Sequence, residues 1–260
     1  GLFNGQYDTW FNRGALDGLA SSDATATAGY FGATDSDGYF SIQQPDLPNL
    51  LAFVGNNADG TANGLKFKLT EDIDFSSAGI PYIPYLGATE FDGDGFEVNN
   101  FSWNEPTSNV GVFGAVKNSR VFNLTVNTVQ YADQSSTTNA INGKDFVRSL
   151  IGSSDGSQLY NVHAVMGGTV AGGAYVGGLA GSVRWAPVGN VTTVRASGVD
   201  VDVARVVGSG AYVGGVVGSM ESVAVKTISS DLDVAGGASH VGGIAGNATG
   251  NGAFNFATTL

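Results

Sequence analysis

The chain has 260 residues, of which 40 are glycine and none is cysteine; 42% are apolar, only 13% are charged, and the net charge is −12. No disulfide framework or thiolate chemistry is available, and no apolar run approaches the roughly 18 to 20 residues of a membrane-spanning helix. Residues 1–105 carry 15 acids against Arg13, Lys66 and Lys68, whereas residues 106–260 carry eight of each sign, so no stripe of Lys or Arg exists to meet nucleic acid or an anionic membrane.

Along the chain, residues 1–40 share no pattern with residues 41–260 and read as a separate N-terminal unit, either one more coil or a cap protecting open strand edges. Within it, Asp35-Ser36-Asp37-Gly38 opens like a calcium loop but lacks the acid at the twelfth position. Asp72/Asp74 and Asp92/Asp94 are each two apart, so on a strand both carboxylates would face one side. That spacing suits oxygen ligation of Ca²⁺ or glycoside chemistry at about 5 to 9 Å. Capping of turn N–H groups is the commoner use of such acids and is the preferred reading; Asp92, Asp94, Asp35 and Asp37 are the calcium candidates.

From residue 109 one pattern recurs. Asn109-Val110-Gly111-Val112-Phe113-Gly114 returns as Phe146-Val147 to Gly152, Tyr175-Val176-Gly177-Gly178-Leu179-Ala180-Gly181, Tyr212-Val213 to Gly218, and His240-Val241 to Gly246; the marker valines are 37, 29, 37 and 28 residues apart. Periods of this length belong to repeat architectures. A second element carries Asn123, Asn161, Asn190 and Asn255 at 13 or 14 residues after the marker, with Ala224 in the remaining copy. A third is read in Val199-Asp200-Val201-Asp202-Val203 and Asp231-Leu232-Asp233-Val234. Period-2 alternation and β-branched residues predict strands, and paired glycines disfavour helix. Three strands per repeat predict an all-β fold, a right-handed parallel β-helix with three sides. In such a stack, at roughly 4.8 Å per layer, Val lies over Val, Asn over Asn in an amide ladder, and corner glycines supply positive φ.

At these residues the chain resembles the GLUG repeat family. Gly178-Leu179-Ala180-Gly181 carries its signature, and Gly215-Val216-Val217-Gly218 and Gly243-Ile244-Ala245-Gly246 carry it with Leu exchanged. Leu65 to Phe75 and Phe91 to Phe101 resemble its opening strands, so residues 41–108 read as opening coils, with a short helix expected in 41–56, and 109–260 as the repeats proper. Arg148-Ser149 departs from the pattern by replacing two glycines. The resemblance implies a β-helical region of large secreted or surface-attached bacterial proteins, adhesin-like in role. The last repeat stops at Thr258-Thr259-Leu260, after its second strand and before its third, so the repeats are expected to continue beyond residue 260.

No catalytic constellation is legible. His163 follows the ladder position by two, with Thr125, Thr192 and Lys226 as counterparts, and His240 stands where other repeats carry Tyr; both read as surface residues. Trp10, Phe11, Trp103 and Trp185 are scattered aromatics, whereas Tyr175 and Tyr212 occupy equivalent positions and would form a column, used either for stacking on sugar rings or for strand-end packing. The expected function is a non-enzymatic structural or adhesive module outside a bacterial cell, meeting a glycan or cell-surface receptor without a cofactor. The alternatives are a fibre subunit associating end to end and a carbohydrate-active β-helix.

Overall fold

The computed structural model describes residues 31–55, 64–80, 82–130 and 139–250. Trp10, Phe11 and Asn255 lie outside the described residues, as does most of the unit 1–40. The fold is all-β, and every strand pairing among the described residues is parallel. The α-helix Leu47–Gly55 follows a capping box in which Asp46 accepts from the Gln43 N–H at 2.8 Å. It buries Leu47, Leu50 and Leu51, at helical spacing, beside the strand Ile83–Gly87.

Each repeat contributes one strand to each of several sheets, and spatial order follows chain order. The longest sheet contains Phe40–Ile42, Lys66–Leu69, Glu90–Asp92, Arg120–Thr128, Gln158–Met166, Pro187–Arg195 and Ala224–Ser230. A second runs Ile83–Gly87, Phe113–Lys117, Ile151–Asp155, Ala180–Arg184, Val217–Glu221 and Ala245–Thr249. A third runs from Trp103–Asn104 to Asp233–Gly236, and a fourth joins Val176–Gly177, Val213–Gly214 and Val241–Gly242. The marker valines 110, 147, 176, 213 and 241 pair successively, and the first four are wholly buried. Like residues stack because one repeat cannot bury its own apolar face and its neighbour offers the same face one layer away.

Three columns of left-handed residues mark where the chain bends. Asn109, Phe146, Tyr175, Tyr212 and His240 form one; Ala88, Asn118, Gly156, Trp185 and Ser222 a second; Asn123, Asn161, Asn190 and Thr227 a third. Positive φ at residues other than glycine costs roughly 1–2 kcal/mol, least for Asn, which explains why Asn recurs there. The expectation that the motif glycines supply positive φ is therefore corrected: none of Gly177, Gly178, Gly181, Gly214, Gly215 or Gly218 is left-handed. They permit close approach instead. A Cβ on Gly218 would lie 2.6 Å from the Gly181 carbonyl oxygen and 2.7 Å from that of Tyr212.

Two register expectations also change. Pro187 pairs with Ala224 and Gly189 with Lys226, so the counterpart of Asn190 is Thr227, not Ala224, and the counterpart of Thr192 and His163 is Ser229, not Lys226. Val199–Val203 is a turn and not a strand, because Val203 and Ala204 both donate to the Asp200 carbonyl. Val199 and Val203, four apart, are buried together while Val201 is exposed, and the strand expected there is Arg205–Gly208.

Candidate functional site

Where the first bend meets the second sheet, a polar groove of about 550 Å³ runs along the repeats. Its floor is a column of small polar side chains, Ser153, Ser182, Ser219 and Asn247, paired in register. A further column of alternating sign, Lys117, Asp155, Arg184 and Glu221, lines it as well. Within that column Arg184 pairs with Asp155 at 3.2 Å; both are partly exposed, so the pair contributes at most about 1 kcal/mol.

Aromatic rings line the groove at the bend. Phe146 and Tyr175 stack at 4.5 Å with 4° between planes, Tyr175 and Tyr212 at 4.7 Å and 26°, and Tyr212 meets His240 at 4.8 Å and 36°. The layer spacing of a parallel sheet is close to the centre-to-centre distance of two stacked rings, so residues repeated at this bend stack with little adjustment. Each contact contributes about 0.5–1.5 kcal/mol, which offsets the left-handed backbone of bulky residues. Tyr175 and Tyr212 thus form a column, but each has a ring against both of its faces. A sugar stacks on a ring face, and these two present only edges; of the two uses open to the column, packing fits its geometry and sugar stacking does not, and the stack includes Phe146 and His240.

Arg148 lies beneath this stack. Its side chain is fully buried, Nε donates to the Val110 carbonyl at 3.0 Å, and its guanidinium carbon lies 5.9 Å from the Phe146 ring centre. Among the described residues neither terminal nitrogen has a hydrogen-bond partner, and burial pushes its pKa well down. Beside it, Ser149 donates to the Gly178 carbonyl at 2.7 Å.

The asparagines lie on the long sheet. Asn190 donates to Asn161 at 2.6 Å, Asn161 to Asn123 at 3.0 Å, and Asn123 to Asp92 at 3.0 Å. His163 meets Thr192 Oγ1 at 2.7 Å and Asn161 Oδ1 at 3.2 Å. With Nε2 as the donor to Asn161, Nδ1 accepts from the threonine, and burial lowers the histidine pKa. His240 contacts Ser239 and the end of the ring stack; neither histidine meets a carboxylate in these contacts.

The acids named as calcium candidates are engaged in turns. Asp35 accepts the N–H groups of Asp37 and Tyr39, both at 2.9 Å, and pairs with Lys68 at 3.4 Å. Asp92 accepts the Asp94 N–H at 2.8 Å, and Asp94 and Asp37 are exposed. No group of three or more His, Asp or Glu side chains able to hold a metal occurs among the described residues.

Sequence reasoning passed over Tyr160, 55% exposed on the long sheet. Its signal was available: Phe122, Tyr160 and Gly189 each precede a ladder asparagine, so the tyrosine stands one layer from a residue without a side chain. Trp185, at the second bend, is 61% exposed.

No family model matches the sequence, and no curated protein shows significant similarity to it. Among solved structures, one provisionally described as an immunoglobulin A1 protease from Bacteroides ovatus superposes with a TM-score of 0.58 at 16% identity. The match covers 83% of this chain and 63% of that one, and at this identity the likeness is one of fold. No helix among the described residues is long and apolar enough to cross a membrane.

Proposed function

We propose that the chain is a right-handed, three-sided parallel β-helix of the GLUG-repeat type, serving as a structural or adhesive module of an extracellular bacterial protein. The observation that carries this reading is the residue-by-residue parallel pairing of successive repeats, with two columns of left-handed residues between their sheets and a third within the long sheet. A stack of this kind gives a stiff body whose outward columns repeat every layer, which suits recognition of an extended, repetitive ligand. The module works by holding and presenting that surface, and we assign it no turnover of what it binds. The near-neutral repeats, with the groove's alternating charges, favour binding over acid-catalysed glycoside cleavage.

The test is a glycan-array and cell-surface binding screen with and without Ca²⁺, followed by incubation of each bound ligand, and of immunoglobulin A1, with the protein. Selective binding with every ligand intact is the expected result. Release of shortened glycan, or cleavage of the immunoglobulin, would overturn the non-enzymatic reading, and absence of binding in every arm would overturn the adhesive one.

A further inference from the structure

The outward side of the long sheet holds a second recess, of about 380 Å³, whose lining includes Tyr160, Gly189, Pro187, Gln158, Arg120 and Lys226. The sheet register sets its shape. Phe122, Tyr160, Gly189 and Lys226 occupy one outward row in successive layers, and Arg120, Gln158 and Pro187 the next. Because Gly189 has no side chain, the Tyr160 ring settles over it: a Cβ there would lie 2.9 Å from Tyr160 Cδ2. Tyr160 nevertheless stays 55% exposed, and no ring stack covers it, unlike Tyr175 and Tyr212. The polar groups around it are Gln158 and two cations, with no acid in the lining. Arg120 lies over the Phe122 ring at 4.9 Å and is shared with Glu90 at 3.3 Å, whereas Lys226 has no ion-pair partner among the described residues. A locally cationic recess on a chain of net charge −12 favours an anionic ligand over a neutral one.

We propose that this recess binds a carboxylate-bearing sugar unit of a glycan: the ring's C–H face rests on Tyr160, its hydroxyls meet Gln158, and its carboxylate meets Lys226. An exposed aromatic ring with polar donors at its rim suits a ligand that is apolar on one face and polar at its edge, and the free ammonium selects an acidic sugar over a neutral one. The inference rests on reading the chain as a binding module and names the ligand class and the place.

The experiment titrates the purified chain with oligogalacturonate, with sialyllactose and with a neutral oligosaccharide of matched length, by calorimetry at low and high salt. One or both acidic sugars should bind, the neutral one about tenfold more weakly or not at all. Tyr160→Ala should reduce affinity by about tenfold or more. Lys226→Gln should reduce it several-fold and flatten the salt dependence. Both positions are exposed, and unchanged circular dichroism would confirm that the variants fold. Equal affinity of Tyr160→Ala and the wild type would overturn this site while leaving the module reading intact. Preference for the neutral sugar, or for an apolar peptide, would overturn the ligand class. Failure to bind any saccharide would overturn this inference; if cell-surface binding then persists, the module reading survives.

Discussion

Replacing Gly218 by alanine tests whether the motif glycines act through close approach and not through backbone conformation. The added Cβ would meet the carbonyl oxygens of Gly181 at 2.6 Å and Tyr212 at 2.7 Å, and the Tyr175 carbonyl carbon at 2.8 Å. Each contact is shorter than van der Waals separation by more than half an ångström or so, and all three partners are backbone, so no side chain can swing away. Relief requires the bends of two layers to move apart, which strains the bond from the Val176 N–H to the Tyr212 carbonyl at 3.0 Å and separates stacked rings. Overpacking costs typically about 1–3 kcal/mol, and a compromised buried hydrogen bond about 1–3 more, so a loss of roughly 2–6 kcal/mol is expected. At about 2–4 °C per kcal/mol for a chain of this size, that lowers Tm by about 4–24 °C. The assay is thermal and urea unfolding followed by circular dichroism, with Ser209→Ala, an exposed position beside the third sheet, as a control expected within about 0.5 kcal/mol of wild type. Hydrogen exchange should place the loosening at Val213–Gly214 and Val217–Glu221. An unchanged melting curve would falsify the close-approach argument.

The same geometry sets three further outcomes. Asn161→Ala should lose about 2–4 kcal/mol, combining left-handed strain with two amide bonds; Asn161→Gly, which keeps the backbone free, should lose visibly less, and equal losses would remove the backbone from the explanation. Arg148→Met should stabilise the chain by about 1–3 kcal/mol, because it removes a buried guanidinium whose terminal nitrogens lack partners among the described residues; a lower melting temperature would show that the cation is satisfied in solution. For His163 the sign is set by its lowered pKa: as pH falls below the ordinary histidine value of about 6.5, the unfolded chain takes up the proton first, so stability falls with acidification until the folded value is reached. His163→Thr, which copies Thr125 and Thr192 in the same column, should remove that part of the pH dependence, as melting curves between pH 5 and 8 would reveal.

The repeat itself, the parallel all-β class, the marker-valine column and the place of Asn123, Asn161 and Asn190 were legible in the residues alone. Stacking identical layers forces like residues over like, so structural equivalence is written as textual recurrence. What recurrence does not carry is backbone hand and the distance between columns. The motif glycines and the ladder asparagines look alike as turn formers, yet only packing shows the asparagines left-handed and the glycines crowded by carbonyls. Thr227 hides the ladder position in its repeat, because what the site requires is a residue tolerant of positive φ, and no amide is needed to fill it. Val199 and Val203 alternate like a strand but are four apart, and a turn closed on the Asp200 carbonyl buries both. Tyr175 and Tyr212 were recognisable as a column; that Phe146 and His240 close its ends and cover its faces depends on ring separations near 4.5–4.8 Å. The alignment of Tyr160 with Gly189 was legible from the ladder asparagines, but exposure of its ring was not, because that is decided by how the side chains of the neighbouring layers pack.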